Sequence, residues 1–280
     1  MNDNKGPIGP ADYAEPRCVL CGEPYGSAPQ VKPVPQQRIV EKVNDYMSRR
    51  DYAGVERHLK YWLEEAKLGN DLQGQLTIRN EMVGHYRKVG DREHALENVE
   101  EALKLVDALG FEGTLSAATT YTNAGTACNA FGEDTRAMEL FEKARKIYES
   151  NERTDPALLG GLYNNMALTC VALKRFGDAQ ALYDRAMKTM ERVPGGALEQ
   201  AITCLNRADA LEAEFGPEQA EGRIFDLLDQ AYDLLNAENV IRDGYYAFVC
   251  EKCAPSFSYY GYFMEAEELE RRAKELYEGA

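Results

Sequence analysis

The sequence predicts an all-α fold, an α-solenoid of about six stacked helical hairpins, from three observations. The first is a period: Ala95, Ala137, Ala179, Ala220 and Ala266 align at steps of 42, 42, 41 and 46 residues, and Val55 precedes the series by 40. The second is apolar spacing by threes and fours within each half-period, with no alternating run long enough for a strand. The third is the chemistry between the halves. Gly90-Asp91, Gly132-Glu133-Asp134 and Gly216-Pro217 fall where one helix must end and the next begin, because Gly terminates a helix at low cost and Pro suits a first turn.

The elements follow in order. Residues 1–36 break the pattern: Pro7, Pro10, Pro16, Pro24, Pro29, Pro33 and Pro35 favour an extended or turning tail over a helix. Residues 37–280 form the repeat domain, with hairpins expected at 37–68, 76–109, 115–150, 157–193, 198–236 and 243–278. The clearest hairpin reads Tyr121, Ala124, Gly125, Cys128, then Gly132, then Ala137, Phe141, Ala144; the next reads Tyr163, Met166, Ala167, Cys170, a turn at 174–177, then Ala179, Tyr183, Ala186. The small residues allow close helix approach and the aromatic ones fill the space between units. One hairpin alone cannot bury this face, so neighbours must stack. Val83, Arg207 and Pro255 depart from the pattern. The last helix, 264–277, carries Ala266, Leu269, Ala273 and Leu276 on one face and charges elsewhere, as suits a terminal unit.

Composition narrows the function. The 280 residues carry 47 acidic and 32 basic side chains, a formal charge of -15, which opposes binding to nucleic acid and to anionic membranes. No apolar run approaches the roughly 18 residues of a membrane span, and the first residues lack a signal-peptide core, so the sequence reads as cytoplasmic. Of seven cysteines, Cys128, Cys170, Cys204, Cys250 and Cys253 lie in helical patterns where a thiol packs like Ala.

The spacing of Gly125, Cys128, Gly132, Ala137, Phe141 and Ala144 resembles a tetratricopeptide repeat. The run from Tyr163-Asn164-Asn165-Met166-Ala167 through Ala186 is similar to the longer type, of about 42 residues, found in kinesin light chains and in bacterial peptide-sensing regulators. The resemblance implies a right-handed superhelix whose first helices line a concave groove that receives a protein or an extended peptide. The wall positions are Asn80, Gly84, Arg87 and Lys88; Thr122, Asn123, Thr126 and Asn129; Asn164, Asn165 and Leu168; and Asn206 and Asp209. A carboxamide offers donors and an acceptor on one rigid group, so it pairs with a peptide backbone regardless of sequence. The resemblance assigns that grip to Asn123, Asn164, Asn165 and Asn206; the alternative is that these amides cap helices or face water. Arg87 and Lys88 beside Asn80 suit a carboxylate, or else complement a helix dipole.

In the tail, Cys18 and Cys21 have the two-residue gap of a zinc knuckle, and Cys250 and Cys253 repeat that gap on a helix. Four thiolates would hold one zinc if the tail ran along the groove, since about 16 residues span roughly 50–55 Å. Such a tail would itself be the groove's partner; the other outcomes are that Cys18 and Cys21 bind metal in some other way, or that there is no cofactor and the tail carries two free thiols. An enzyme is not expected. His58, His85 and His94 form no metal-binding pair, each is expected to be a solvated surface residue, and phosphate-loop, dinucleotide and nucleophile-elbow motifs are missing. The expected function is a non-enzymatic scaffold, monomeric or dimeric. The alternatives are a sensor of short signalling peptides and a metal- or redox-responsive adaptor working through Cys18 and Cys21.

Overall fold

The computed structural model describes residues 31–278. Among them are twelve α-helices and no strand. The helices are α1 (Gln36–Ser48), α2 (Tyr52–Leu68), α3 (Leu72–Val89), α4 (Arg92–Ala108), α5 (Leu115–Ala130), α6 (Asp134–Ser150), α7 (Pro156–Ala172), α8 (Phe176–Met190), α9 (Ala197–Phe215), α10 (Pro217–Leu235), α11 (Gly244–Tyr259) and α12 (Phe263–Glu278). The contacts divide the chain between Glu81 and Met82 into two units, and α3 spans that division.

Each period anchor occupies one structural position. Val55, Ala95, Ala137, Ala179, Ala220 and Ala266 are the fourth residues of α2, α4, α6, α8, α10 and α12, and all are buried. The period is therefore the distance from one second helix to the next. In the second unit α5 packs on α6, α7 on α8, α9 on α10 and α11 on α12, and α6 meets α7 as α8 meets α9. The small residues have the role their size implies: a Cβ added to Gly125 would lie 2.6 Å from the ring of Phe141, so only Gly permits this approach of α5 and α6.

Local chemistry sets the ends. Thr114 accepts from the Ala117 amide at 3.2 Å to start α5, and Asp155 accepts from the Ala157 amide at 2.9 Å to start α7, with Pro156 in its first turn. Gly132, at φ 78°, takes the left-handed turn between α5 and α6. Lys174 makes the equivalent turn after α7 at φ 59°. Helix α11 continues through Pro255, which lies on its exposed side. Val83 is accepted in the core.

In the first unit, α1 packs on α2, and the segment before α1 is held by one side chain. Buried Asp71 accepts from the Val34 amide and from the Gly74 amide, both at 2.9 Å. Asp71→Ala would leave both donors unpaired, at about 1–3 kcal/mol each. The expected result is a lower urea midpoint for unfolding followed by fluorescence of Trp62, the single tryptophan, with faster hydrogen exchange at Val34. An unchanged midpoint would show that this tether contributes nothing.

The histidine expectation needs correction. His94 is exposed, but His85 is buried with its ring edge-on to Tyr86, and His58 is half-buried with a ring nitrogen 3.3 Å from the Ile39 carbonyl. Burial holds the His58 pKa below its ordinary value. Helical phase, which polarity alone does not reveal, turned these two rings inward.

Candidate functional site

Helices α5, α7, α9 and α11 are the first helices of successive hairpins, and α7 touches α5 on one side and α9 on the other, as α9 touches α11. Their shared face carries half-buried polar groups that cross between helices. Asn164 of α7 accepts through Oδ1 from Asn206 Nδ2 at 3.1 Å and from Thr203 Oγ1 at 3.3 Å, both on α9. Asn165 Nδ2 donates to Thr126 Oγ1 of α5 at 3.4 Å. Four expected wall residues thus make bonds between helices, Asn164 with Asn206 toward α9 and Asn165 with Thr126 toward α5, and Asn123 lies half-buried on α5. Among the described residues, Asn164 Nδ2 has no acceptor and Asn206 Oδ1 no donor, and neither atom is sealed from solvent. One free donor and one free acceptor therefore sit on adjoining helices.

Other expected wall residues have different settings. Asn129 donates to Asp134 Oδ1 at 2.9 Å, clasping the turn between α5 and α6. Asn80 donates to the Leu76 carbonyl of its own helix at 3.0 Å. Arg87 and Lys88 are exposed in the last turn of α3. Asp209 of α9 accepts from the Tyr260 hydroxyl, just beyond α11, at 2.9 Å; desolvation, with Glu212 nearby, raises its pKa, and the Tyr260 hydrogen bond opposes the rise.

Sequence reasoning missed the tyrosines around α11. The Tyr260 hydroxyl also lies 2.9 Å from Glu212 Oε2, so its one proton is shared between Asp209 and Glu212; Tyr259 donates to Glu212 Oε1 at 2.9 Å, and Tyr245 donates to Glu199. Glu199, Asp209 and Glu212 of α9 are thereby committed to hydroxyls of the last hairpin. The Tyr-Tyr pair at 259–260, on the wall side of the last unit, was the available signal.

Cys250 and Cys253 point into the core shared by α9 to α12. Burial raises both thiols, Cys253 to about 12, which favours the neutral packing form over the thiolate a metal needs. Among the described residues no group of three or more His, Cys, Asp or Glu side chains is placed to hold a metal ion. Cys18 and Cys21 lie outside the described residues. No helix among the described residues is long and apolar enough to cross a membrane.

Comparison with known proteins agrees with the helical-hairpin fold. Residues 74–150 match the tetratricopeptide repeat family. The fold is similar to that of a Podosopora anserina protein named as a kinesin light chain with nearly identical TPR-like repeats, at 17% identity and TM-score 0.50, over 72% of this chain and 94% of that one. BtubC (BKLC) from P. vanneervenii aligns at 17% identity and TM-score 0.49, over 88% of this chain and 92% of that one. No curated protein matches the chain. The matched segment, residues 74–150, carries tetratricopeptide repeats, within a chain of helices in which α1 packs on α2 and α5 to α12 pair in succession.

Proposed function

We propose that this chain is a non-enzymatic cytoplasmic scaffold that holds an extended segment of a partner protein against the face formed by α5, α7 and α9. Tetratricopeptide repeats generally mediate protein interactions, and stacked repeats offer long binding surfaces. The observation that carries the reading is the free Nδ2 of Asn164 beside the free Oδ1 of Asn206. A strand-like peptide presents a carbonyl and an N–H in alternation, and this pair meets one of each without regard to side chains. The link between the two asparagines fixes both rotamers before a ligand arrives, which lowers the ordering cost of binding. Five free buried cysteines suit a reducing compartment.

The test is capture from a library of extended peptides, followed by titration of the best binder against the intact chain and Asn164→Ala/Asn206→Ala. The double variant is expected to lose two or more hydrogen bonds to the peptide backbone, about tenfold or more in Kd. Its helical content should be unchanged. Equal affinity of the two proteins for the selected peptide, or failure to select any peptide, would overturn the reading.

A further inference from the structure

A second site lies away from these amides. The end of α6, the start of α7 and the end of α8 enclose a cavity of about 500 Å³, lined by Glu149, Thr154, Tyr163, Arg185, Lys188 and Arg192 among others. Its charge is opposite to that of the whole. The chain carries a formal -15, yet here three cations face one carboxylate.

The cations are differently committed. Arg185 reaches Glu149 Oε1 at 2.7 Å and the Tyr163 hydroxyl at 2.6 Å, and its guanidinium lies over the Tyr163 ring at 4.2 Å. That arrangement neutralises Glu149 and fixes an aromatic wall. Tyr163 stays protonated, with burial first and the Glu149 contact second pushing its pKa to about 12. Lys188 and Arg192 have no ion-pair partner among the described residues and line the same cavity. Thr154 also lines the cavity, with its hydroxyl turned out of reach of solvent.

We propose that this cavity binds a small molecule bearing a phosphate monoester. Two uncommitted cations match the charge of a phosphate dianion, with the guanidinium of Arg192 able to grip two oxygens and Lys188 acting as a point charge. The volume exceeds what inorganic phosphate fills and falls within the range of small-molecule sites. The remainder of the ligand lies against Tyr163. This site shares no residue with the peptide face, since Tyr163 and Asn164 point to different sides of α7.

The test is calorimetric titration of the full chain with a nucleoside monophosphate, inorganic phosphate and a phosphoserine peptide, at low and at physiological salt. The nucleoside monophosphate is expected to bind more tightly than inorganic phosphate, with affinity falling as salt rises. Lys188→Glu/Arg192→Glu, both at exposed positions, should weaken it by at least about tenfold with unchanged circular dichroism. Asn164→Ala should leave it unchanged. No binding of the nucleoside monophosphate at millimolar concentration would overturn the proposal, as would equal binding by the charge-reversal variant. Tighter binding of the phosphoserine peptide would also overturn it, by assigning the phosphate to a protein partner.

Discussion

Replacing Phe141 by Ala is expected to lower the unfolding free energy by about 3–5 kcal/mol, the usual cost of emptying a fully buried aromatic site. Phe141 is 0% exposed, and its ring fills the space that Gly125 leaves between α5 and α6. The pair gives a sharper test than either residue alone. Gly125→Ala in the natural background places a Cβ 2.6 Å from the ring and must displace it, so it should destabilise despite the better helix propensity of Ala. In the Phe141→Ala background the same methyl enters a void and should stabilise. The reversal of sign is read from urea midpoints of the four proteins as a double-mutant cycle. Additive effects would mean that the two residues do not share the space described.

The second large effect is expected at Arg272 in α12. Its guanidinium donates to Asn236 Oδ1 at 2.8 Å, to the hydroxyl of fully buried Tyr246 at 2.9 Å and to Glu268 Oε1 at 2.9 Å, and lies 5.9 Å from the Tyr232 ring centroid. The side chain is only 14% exposed, so solvent cannot replace all of these contacts. Arg272→Ala should cost about 2–3 kcal/mol by orphaning the Tyr246 hydroxyl and the Asn236 carbonyl. Arg272→Lys should recover only part of this, since one ammonium cannot reproduce the planar fork. Because repeats unfold through their neighbours, the loss should appear first as faster hydrogen exchange in α11 and α12. Protection that falls equally in α5 and α6 would show instead that the stack unfolds as one body.

The same logic explains why so much of the fold was legible. Twelve helices were expected as six hairpins and twelve are found with ends displaced by only a few residues, five of the pairs packing as expected, because packing between equivalent neighbours demands the same small or apolar residue at each step. Val55, which is not Ala, still takes the anchor position in α2. The amides were legible as a class, since Asn164 and Asn206 stand one period apart and so at matching stations. Their mutual hydrogen bond was not, nor the capture of Asn129 by Asp134 and of Asp209 by Tyr260. Arg207 stood out as a departure, but its contact with Asp184 on α8, at 3.3 Å, belongs to the fold.

The sequence by itself determined the helices, their pairing and the order of stacking, since each follows from local periodicity and from apolar surface that one hairpin cannot hide. Only the tertiary structure decided which polar atoms find partners. Successive residues on a helix differ in direction by about 100°, so a small rotation separates a solvated side chain from a buried one. That rotation put His85 in the core, and the packing of α7 against α9 left a donor of Asn164 and an acceptor of Asn206 free. The meeting of α6, α7 and α8 likewise gathered Arg185, Lys188 and Arg192 on one cavity with Thr154, which comes from the connection between two helices. A period carried by small and apolar positions cannot encode such a meeting, because Arg185, Lys188, Arg192 and Thr154 are not among those positions.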